Sequence, residues 1–283
     1  MRKLLSGGLL LLLAGCSSSD HRSSNELIDR GAYQIDTHYP SVAKNERVRF
    51  LVLHYTAVDD AESLRLLTQG EVSAHYLIPT HPKKAGGKAI ALQLVPEAQR
   101  AWHAGVSSWQ GRNNLNDTSI GIEIVNLGFT EKMLGRTWYP YNESQIELIE
   151  QLTKDIVQRY NISPSDVVAH SDIAPLRKSD PGPLFPWKRL AEKGVGAWPD
   201  DATVAKYIGG RDKKGAASVA VIQQALAAYG YKIPQNGQLD TETRQVIKAF
   251  QMHFRPQDFS GVPDVETEAI ALALVEKYRT LST

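Results

Sequence analysis

Residues 167–183 read VVAHSDIAPLRKSDPGP. Three strand-forming apolar residues deliver His170 at their end, and Asp180 follows further along the same stretch. Pro175, Pro181 and Gly182 interrupt the segment, so it is not one helix. An imidazole and a carboxylate are both metal-competent ligands. Lys178 adds a cation suited to developing negative charge.

Working outward, residues 47–55 (RVRFLVLHY) form a strand-like apolar run that carries a second imidazole, His54, near its end. Residues 119–125 (SIGIEIV) read as another strand, in which Glu123 alternates with Ile122 and Ile124. Residues 73–78 and 89–95 are further strand candidates, and 61–68 is a short amphipathic helix. The clearest helix is 142–160, where Ile146, Ile149, Leu152, Ile156 and Tyr160 recur at three- and four-residue steps. Asn142 with Gln145 resembles a capping box. Strands and helices alternate, with some strands closer together than a helix crossover allows. The expected fold is α/β, with a mixed central β-sheet flanked by helices.

The texture changes at residues 198–214, where Pro199, an Asp pair, Gly209-Gly210 and RDKKG read as a linker. Three helix candidates follow. The first aligns Val219, Ile222, Leu226 and Tyr229, with Gly230 at its C-cap. The second starts at Asp240 and carries Val246, Ile247, Phe250 and Phe254. The third starts near Asp264 and carries Ile270, Leu274 and Tyr278. Residues 205–283 therefore read as a second, small three-helix domain after a catalytic domain at 31–200. Within it, His253-Phe254-Arg255 is more polar than a helical core needs.

At the other end, Arg2 and Lys3 precede a short apolar stretch that ends in Leu13-Ala14-Gly15-Cys16. A membrane-spanning helix needs roughly 20 apolar residues, so 1–15 fits a secretory signal instead. The small residues before Cys16 resemble a bacterial lipoprotein cleavage site, with Cys16 as the acylated (palmitate-bearing) first residue. Two or more acyl chains anchor stably. Ser17 after Cys16 favours the outer membrane by resemblance to sorting signals. Residues 16–30 read as a tether. Cys16 is the single cysteine, so no disulfide framework exists. Without residues 1–15 the chain carries 30 Lys and Arg against 31 Asp and Glu, which gives no reason to expect nucleic-acid binding.

Taken singly, each polar residue has a plain explanation. His54 could be a hydrogen-bonded core histidine, Glu123 could point outward from a half-buried strand, Asp180 could be a turn former, and Lys178 could be solvated. Together, two imidazoles, two carboxylates and a lysine read as a metal hydrolase. His54, His170 and Asp180 would be the ligands, Glu123 the general base and Lys178 the oxyanion partner. Two imidazoles and a carboxylate favour zinc but also suit other divalent ions.

From Tyr33 to Trp187 the chain resembles the type-2 N-acetylmuramoyl-L-alanine amidases, relatives of peptidoglycan recognition proteins. The resemblance rests on LVLHYT, SAHYLI, RAWHAGVSSWQGR, NDTSIGIEIVN and AHSDIAPLRKSDPGP, in family order. It implies one Zn2+ per chain on His54, His170 and Asp180, with Glu123 and Lys178 catalytic. It implies cleavage between N-acetylmuramic acid and L-alanine of the stem peptide, in cell-wall turnover or recycling. With the signal, the chain resembles the family's lipoprotein amidases of the outer membrane. The expected partners are peptidoglycan, muropeptides and a membrane reached through lipid on Cys16. The expected state is a periplasmic monomer. Weaker substrate-binding candidates are His75, Trp102, His103, Asn126 and Arg177. His21, His38, His81 and His253 receive no role. The segment GQLDTET (237–243), followed by Val246 and Ala249-Phe250-Gln251, resembles a three-helix peptidoglycan-binding domain. Such a module would act through effective concentration, and its removal is expected to spare the cleavage of small fragments.

Overall fold

The computed structural model describes residues 27–279, apart from Leu134. The expected signal at 1–15, Cys16 and most of the expected tether at 16–30 lie outside the described residues. Ahead of Glu46, residues 27–45 belong to a unit of their own. In it Ile28–Asp29 pairs antiparallel with Gln34–Ile35.

The second unit is built on five strands: β1 (Phe50–Tyr55), β2 (Tyr76–Ile78), β3 (Leu92–Gln93), β4 (Ser119–Ile124) and β5 (Val167–Ala169). Their order across the sheet is β5-β1-β4-β2-β3. The first four in that order run parallel, and β3 closes the edge antiparallel, so the sheet is mixed as the strand spacing requires. Two expected strands are shorter than their apolar runs. Residues 84–89 form a small separate hairpin, Lys84–Ala85 with Lys88–Ala89, rather than extending β3.

The period-two alternation of β1 and β4 separates two chemistries. Leu51 and Leu53, with Ile120, Ile122 and Ile124, face helix α2 (Glu143–Tyr160) and pack on its Ile146, Ile149 and Ile156. Asn142 N–H donates to the Gln145 side chain at 3.2 Å, the return arm of the anticipated capping box. The opposite face carries Phe50, Val52 and His54 from β1 and Ser119, Gly121 and Glu123 from β4, in register as neighbours. Helix α1 (Asp60–Gln69) starts with Asp59 capping Glu62 N–H at 2.9 Å.

Residues 198–214 are not a linker throughout. After the short helix α4 (Trp187–Glu192), Asp201–Ile208 forms helix α5, which starts after Asp200 and stops where Gly209 adopts φ +59°. The residues that suggest a chain break are this helix's end signals. Helices α6 (Val219–Tyr229), α7 (Thr241–Phe254) and α8 (Val265–Tyr278) follow, close to expectation. Lys277 from α8 reaches back to the Trp198 carbonyl (3.1 Å) and Asp200 (2.6 Å).

These helices contain a duplicated clamp. Gln223 donates to Thr243 Oγ1 (2.9 Å) and the Gln238 carbonyl (3.2 Å), and accepts from Gly237 N–H (2.7 Å). Gln251 repeats this with Thr267 (2.9 Å), the Val262 carbonyl (2.9 Å) and Gly261 N–H (2.8 Å). Asp240 and Asp264 cap the two helices that follow, at 2.7 and 2.8 Å. Each loop is thus tied to its preceding helix by one buried carboxamide.

The helical module is not a detached appendage. Phe50, Val52, Ala104, Trp109, Leu115, Val168 and Ile173 share one apolar cluster with Ile222, Leu226, Tyr229, Tyr231, Phe250, Phe254 and Leu274. Trp109 stands edge-on to Tyr231 (4.8 Å between centroids), and its neighbour Gln110 donates from its backbone to the Gly230 carbonyl (2.9 Å). A Cβ at Gly230 would meet Trp109 at 2.9 Å, so the module docks where glycine permits it. Removing residues 205–283 would therefore uncover one face of the sheet. A deletion at that boundary would divide this shared core.

Candidate active site

The C-terminal ends of three adjacent parallel strands, β5, β1 and β4, converge, the usual location of sites in open α/β sheets. His54 ends the buried part of β1, Glu123 is its register neighbour on β4, and His170 follows β5 directly. After His170 the chain makes one helical turn, α3 (His170–Ile173), and returns through the Pro-broken loop to Asp180. Ser171 N–H donates to the Asp180 carbonyl at 3.0 Å, tying the two ends of that loop together.

His54 Nδ1 lies 2.9 Å from His170 Nδ1 and 3.2 Å from Asp180 Oδ2, and His170 Nδ1 lies 2.9 Å from the same oxygen. All three residues are buried. The outer contacts fit one placement of the ring protons, with Arg177 Nη2 also 3.4 Å from His170 Nε2. Ser119 Oγ donates to the Leu115 carbonyl (2.7 Å), leaving Oγ to accept from His103 Nε2 (3.1 Å). His103 Nδ1 then accepts from His54 Nε2 (3.0 Å), and His170 Nε2 donates to the Ala104 carbonyl (3.2 Å). Both ligand-side nitrogens are left as lone pairs facing a carboxylate oxygen. Three converging acceptors without a donor call for a cation, and spacings near 3 Å suit roughly 2 Å metal–ligand arms. The residues present fit a metal ion.

Burial, then the neighbouring His170, lowers the His54 pKa to about 4, so it stays neutral. Burial opposes ionisation of Asp180, whereas positive charge beside it, a protonated His170 foremost and His54 next, pulls its carboxyl far below the usual range, a direction that a bound cation shares. Glu123 is pushed up to about 8, first by burial and then by Asp180, with Lys178 pulling the other way. Its Oε2 is buried with no hydrogen-bond partner. The carboxylate does not point outward to solvent: it lines a cavity of about 330 Å³ together with Tyr55, Trp102, His170, Lys178, Ser179 and Asp180. An orphaned buried oxygen beside three metal-competent acceptors is an arrangement that activates water.

The second tier of candidates divides. Trp102, 59 % exposed, forms an apolar wall of the cavity. His103 touches the cavity but spends one nitrogen on His54 and the other on Ser119, and Gly121 makes room for it: a Cβ there would meet its ring at 2.4 Å. His75 accepts from Gly121 N–H (3.0 Å) and faces the Gln99 carbonyl (3.2 Å), so its ring braces the backbone. Asn126 binds the Tyr139 and Pro140 carbonyls and Gly128 N–H, closing a loop. Arg177 holds the Ala104 and Val106 carbonyls at the cavity rim. The polar groups of His75, Asn126 and Arg177 find partners in the backbone. Three contributors escape the motif reading: Ser119, behind His103; Tyr55, whose hydroxyl meets Ser179 Oγ at 3.0 Å; and Asp172, within the α3 turn.

Residues 44–183 match the N-acetylmuramoyl-L-alanine amidase family, and residues 215–270 match a putative peptidoglycan binding domain. The chain is 47 % identical over 268 residues to the N-acetylmuramoyl-L-alanine amidase AmiD of Escherichia coli, covering 95 % of each. It is 40 % identical over 119 residues to the 1,6-anhydro-N-acetylmuramyl-L-alanine amidase AmpD of the same organism, covering 42 % of this chain and 56 % of AmpD. Among solved structures, E. coli AmiD in complex with anhydro-N-acetylmuramic acid-L-Ala-D-γ-Glu-L-Lys superposes with a TM-score of 0.85 at 48 % identity, over 89 % of this chain and 98 % of that one. AmpDh3 of Pseudomonas aeruginosa, in complex with anhydromuramic pentapeptide, gives 0.76 at 49 % identity, with 89 % and 98 % covered. The site and these likenesses agree, and the chain belongs to the N-acetylmuramoyl-L-alanine amidase family and is an amidase of that class.

Proposed function

We propose that the chain is a zinc-dependent hydrolase of the amide joining the lactyl group of N-acetylmuramic acid to L-alanine, in peptidoglycan or its fragments. The observation that carries this reading is the meeting of three buried acceptors beside the orphaned Glu123 Oε2. His54, His170 and Asp180 would hold one zinc ion. When bound, zinc supplies a Lewis acid for the carbonyl and lowers the pKa of a water. Glu123 takes the proton of the attacking water and passes it to the L-alanine nitrogen as the C–N bond breaks. Lys178, close enough to influence Glu123 and His54, balances the negative charge that develops on the carbonyl oxygen. The products are the muramyl carboxylic acid and a stem peptide with a free amino terminus. The ligands named for the solved AmiD and AmpDh3 complexes support this substrate class.

The same reading assigns residues 31–200 to catalysis and 205–283 to peptidoglycan contact. It places a lipid on Cys16, with a signal at 1–15 and a tether at 16–30, and a monomer anchored to the outer membrane and acting in the periplasm. Action on peptidoglycan itself implies the periplasm or cell wall.

Mass spectrometry of a muramyl-tripeptide incubated with the purified protein, before and after chelation, tests the reading. The expected result is free tripeptide and intact sugar, lost on chelation and restored by zinc. Cleavage within the peptide would make the protein a peptidase, and no cleavage by the zinc-loaded protein would make it a peptidoglycan receptor.

A further inference from the structure

Asp172, 1 % exposed, lies two residues beyond His170 on the same α3 segment. Its carboxylate is fully engaged. Oδ2 accepts from Ala169 N–H (2.8 Å), which anchors the turn that presents His170, and from His253 Nδ1 (2.7 Å). Oδ1 accepts from the Tyr231 hydroxyl (2.6 Å). Tyr231 and His253 belong to the helical module, not to the catalytic domain. His253 is held in turn by stacking on Trp187 at 3.9 Å between centroids.

The α3 turn connects this carboxylate to the metal-competent triad by two routes. His170 is its first residue, and Ser171 N–H donates to the Asp180 carbonyl at 3.0 Å. We propose that Tyr231 and His253 are positioning residues of the metal site: through Asp172 they fix the turn that aims His170 and Asp180 at the ion. The module then has a task in catalysis besides any contact with the polymer. The proposal rests on the reading of His54, His170 and Asp180 as metal ligands.

The test compares Tyr231→Phe, which removes one hydroxyl, with His253→Leu, which removes the donor, and His253→Asn, whose Nδ2 stands where the imidazole Nδ1 stood. Leu274→Ala, in the same apolar cluster but remote from Asp172 in sequence, is the control for lost packing. Zinc dissociation is read by competition with a chelator, the ligand field by the visible spectrum of the cobalt-substituted protein, and folding by Tm.

Removal of partners behind a metal ligand weakens metal binding by roughly 10- to 100-fold. The expected result is therefore about tenfold or more faster loss to chelator and an altered cobalt spectrum in Tyr231→Phe and His253→Leu. His253→Asn should recover both properties, and Leu274→Ala should lower Tm with zinc retention unchanged. Wild-type zinc retention in Tyr231→Phe and His253→Leu would overturn the proposal, as would equal weakening in Leu274→Ala. If the wild type holds no stoichiometric metal, or His170→Ala still does, the ligand reading itself falls and the positioning role with it.

Discussion

Two buried aspartates on one loop have opposite surroundings. Asp172 receives three hydrogen bonds, from a backbone N–H, a phenol and an imidazole N–H, and its charge is answered within the protein. Asp180, 6 % exposed, faces two imidazole nitrogens whose rings carry their protons on the far side. One carboxylate completes a structure, while the other waits for a cation. Burial, residue type and a histidine at 2.7 to 2.9 Å are common to both. What separates them is the direction of the donor, set by the groups behind each ring.

The sharpest way to break this comparison is to remove the side of the triad that lacks donors. His54→Ala or Asp180→Ala should abolish both stoichiometric zinc, measured by metal analysis, and muramyl-peptide cleavage. Full activity in either would remove the metal site from the mechanism. Next in size, Glu123→Ala should retain zinc and lower kcat by roughly 10²- to 10⁴-fold, the usual weight of a general base. Loss of metal in that variant would make Glu123 a ligand instead.

On the Asp172 side the expected effect extends to stability. Tyr231→Phe strips one hydrogen bond from a buried charge, and chemical denaturation should register about 1–3 kcal/mol of lost stability. A change within error would mean that the phenol is dispensable to the dock.

The smallest effect distinguishes the site by pH. In the metal-free protein Glu123 keeps its proton up to about pH 8, whereas in the unfolded chain it loses it near 4.5. Unfolding between those values releases a proton. The contribution is full below about pH 4.5 and is lost as pH rises toward 8, at no more than about 1.4 kcal/mol per unit. Glu123→Gln should flatten that part of the Tm–pH curve of the chelated protein. An unchanged slope would mean that the carboxyl is solvated rather than orphaned.

Much of this was legible in the chain. The strand ends that carry His54 and His170, and the alternation around Glu123, are local patterns, and local patterns survive into the fold. The roles of His75 and Asn126 were not legible, because their partners are backbone groups: Gly121 N–H for one, the Tyr139 and Pro140 carbonyls for the other. A histidine that braces backbone looks the same in sequence as one that meets substrate. The hold on Asp172 was still less visible, since its partners lie 59 and 81 residues downstream. His253 read as an oddly polar residue in a helical core, and that mismatch was the one signal of a tie to another domain. Helix α5 was missed because its residues are exposed or only half-buried, leaving end signals without an apolar stripe between them.

The shared core also bears on when this hydrolase becomes competent during its own synthesis. Chains emerge and fold from the N-terminus, and His54 must wait for His170, 116 residues later, before a metal site exists at all. The apolar cover of the sheet's other face arrives later still, with residues that reach Leu274. A chain interrupted before Tyr231 would own His54, His170, Asp180, Glu123 and Lys178, yet leave Asp172 without two of its partners and Phe50 and Val52 without their cover. For an amidase of this class, such late completion would tie activity to a finished molecule.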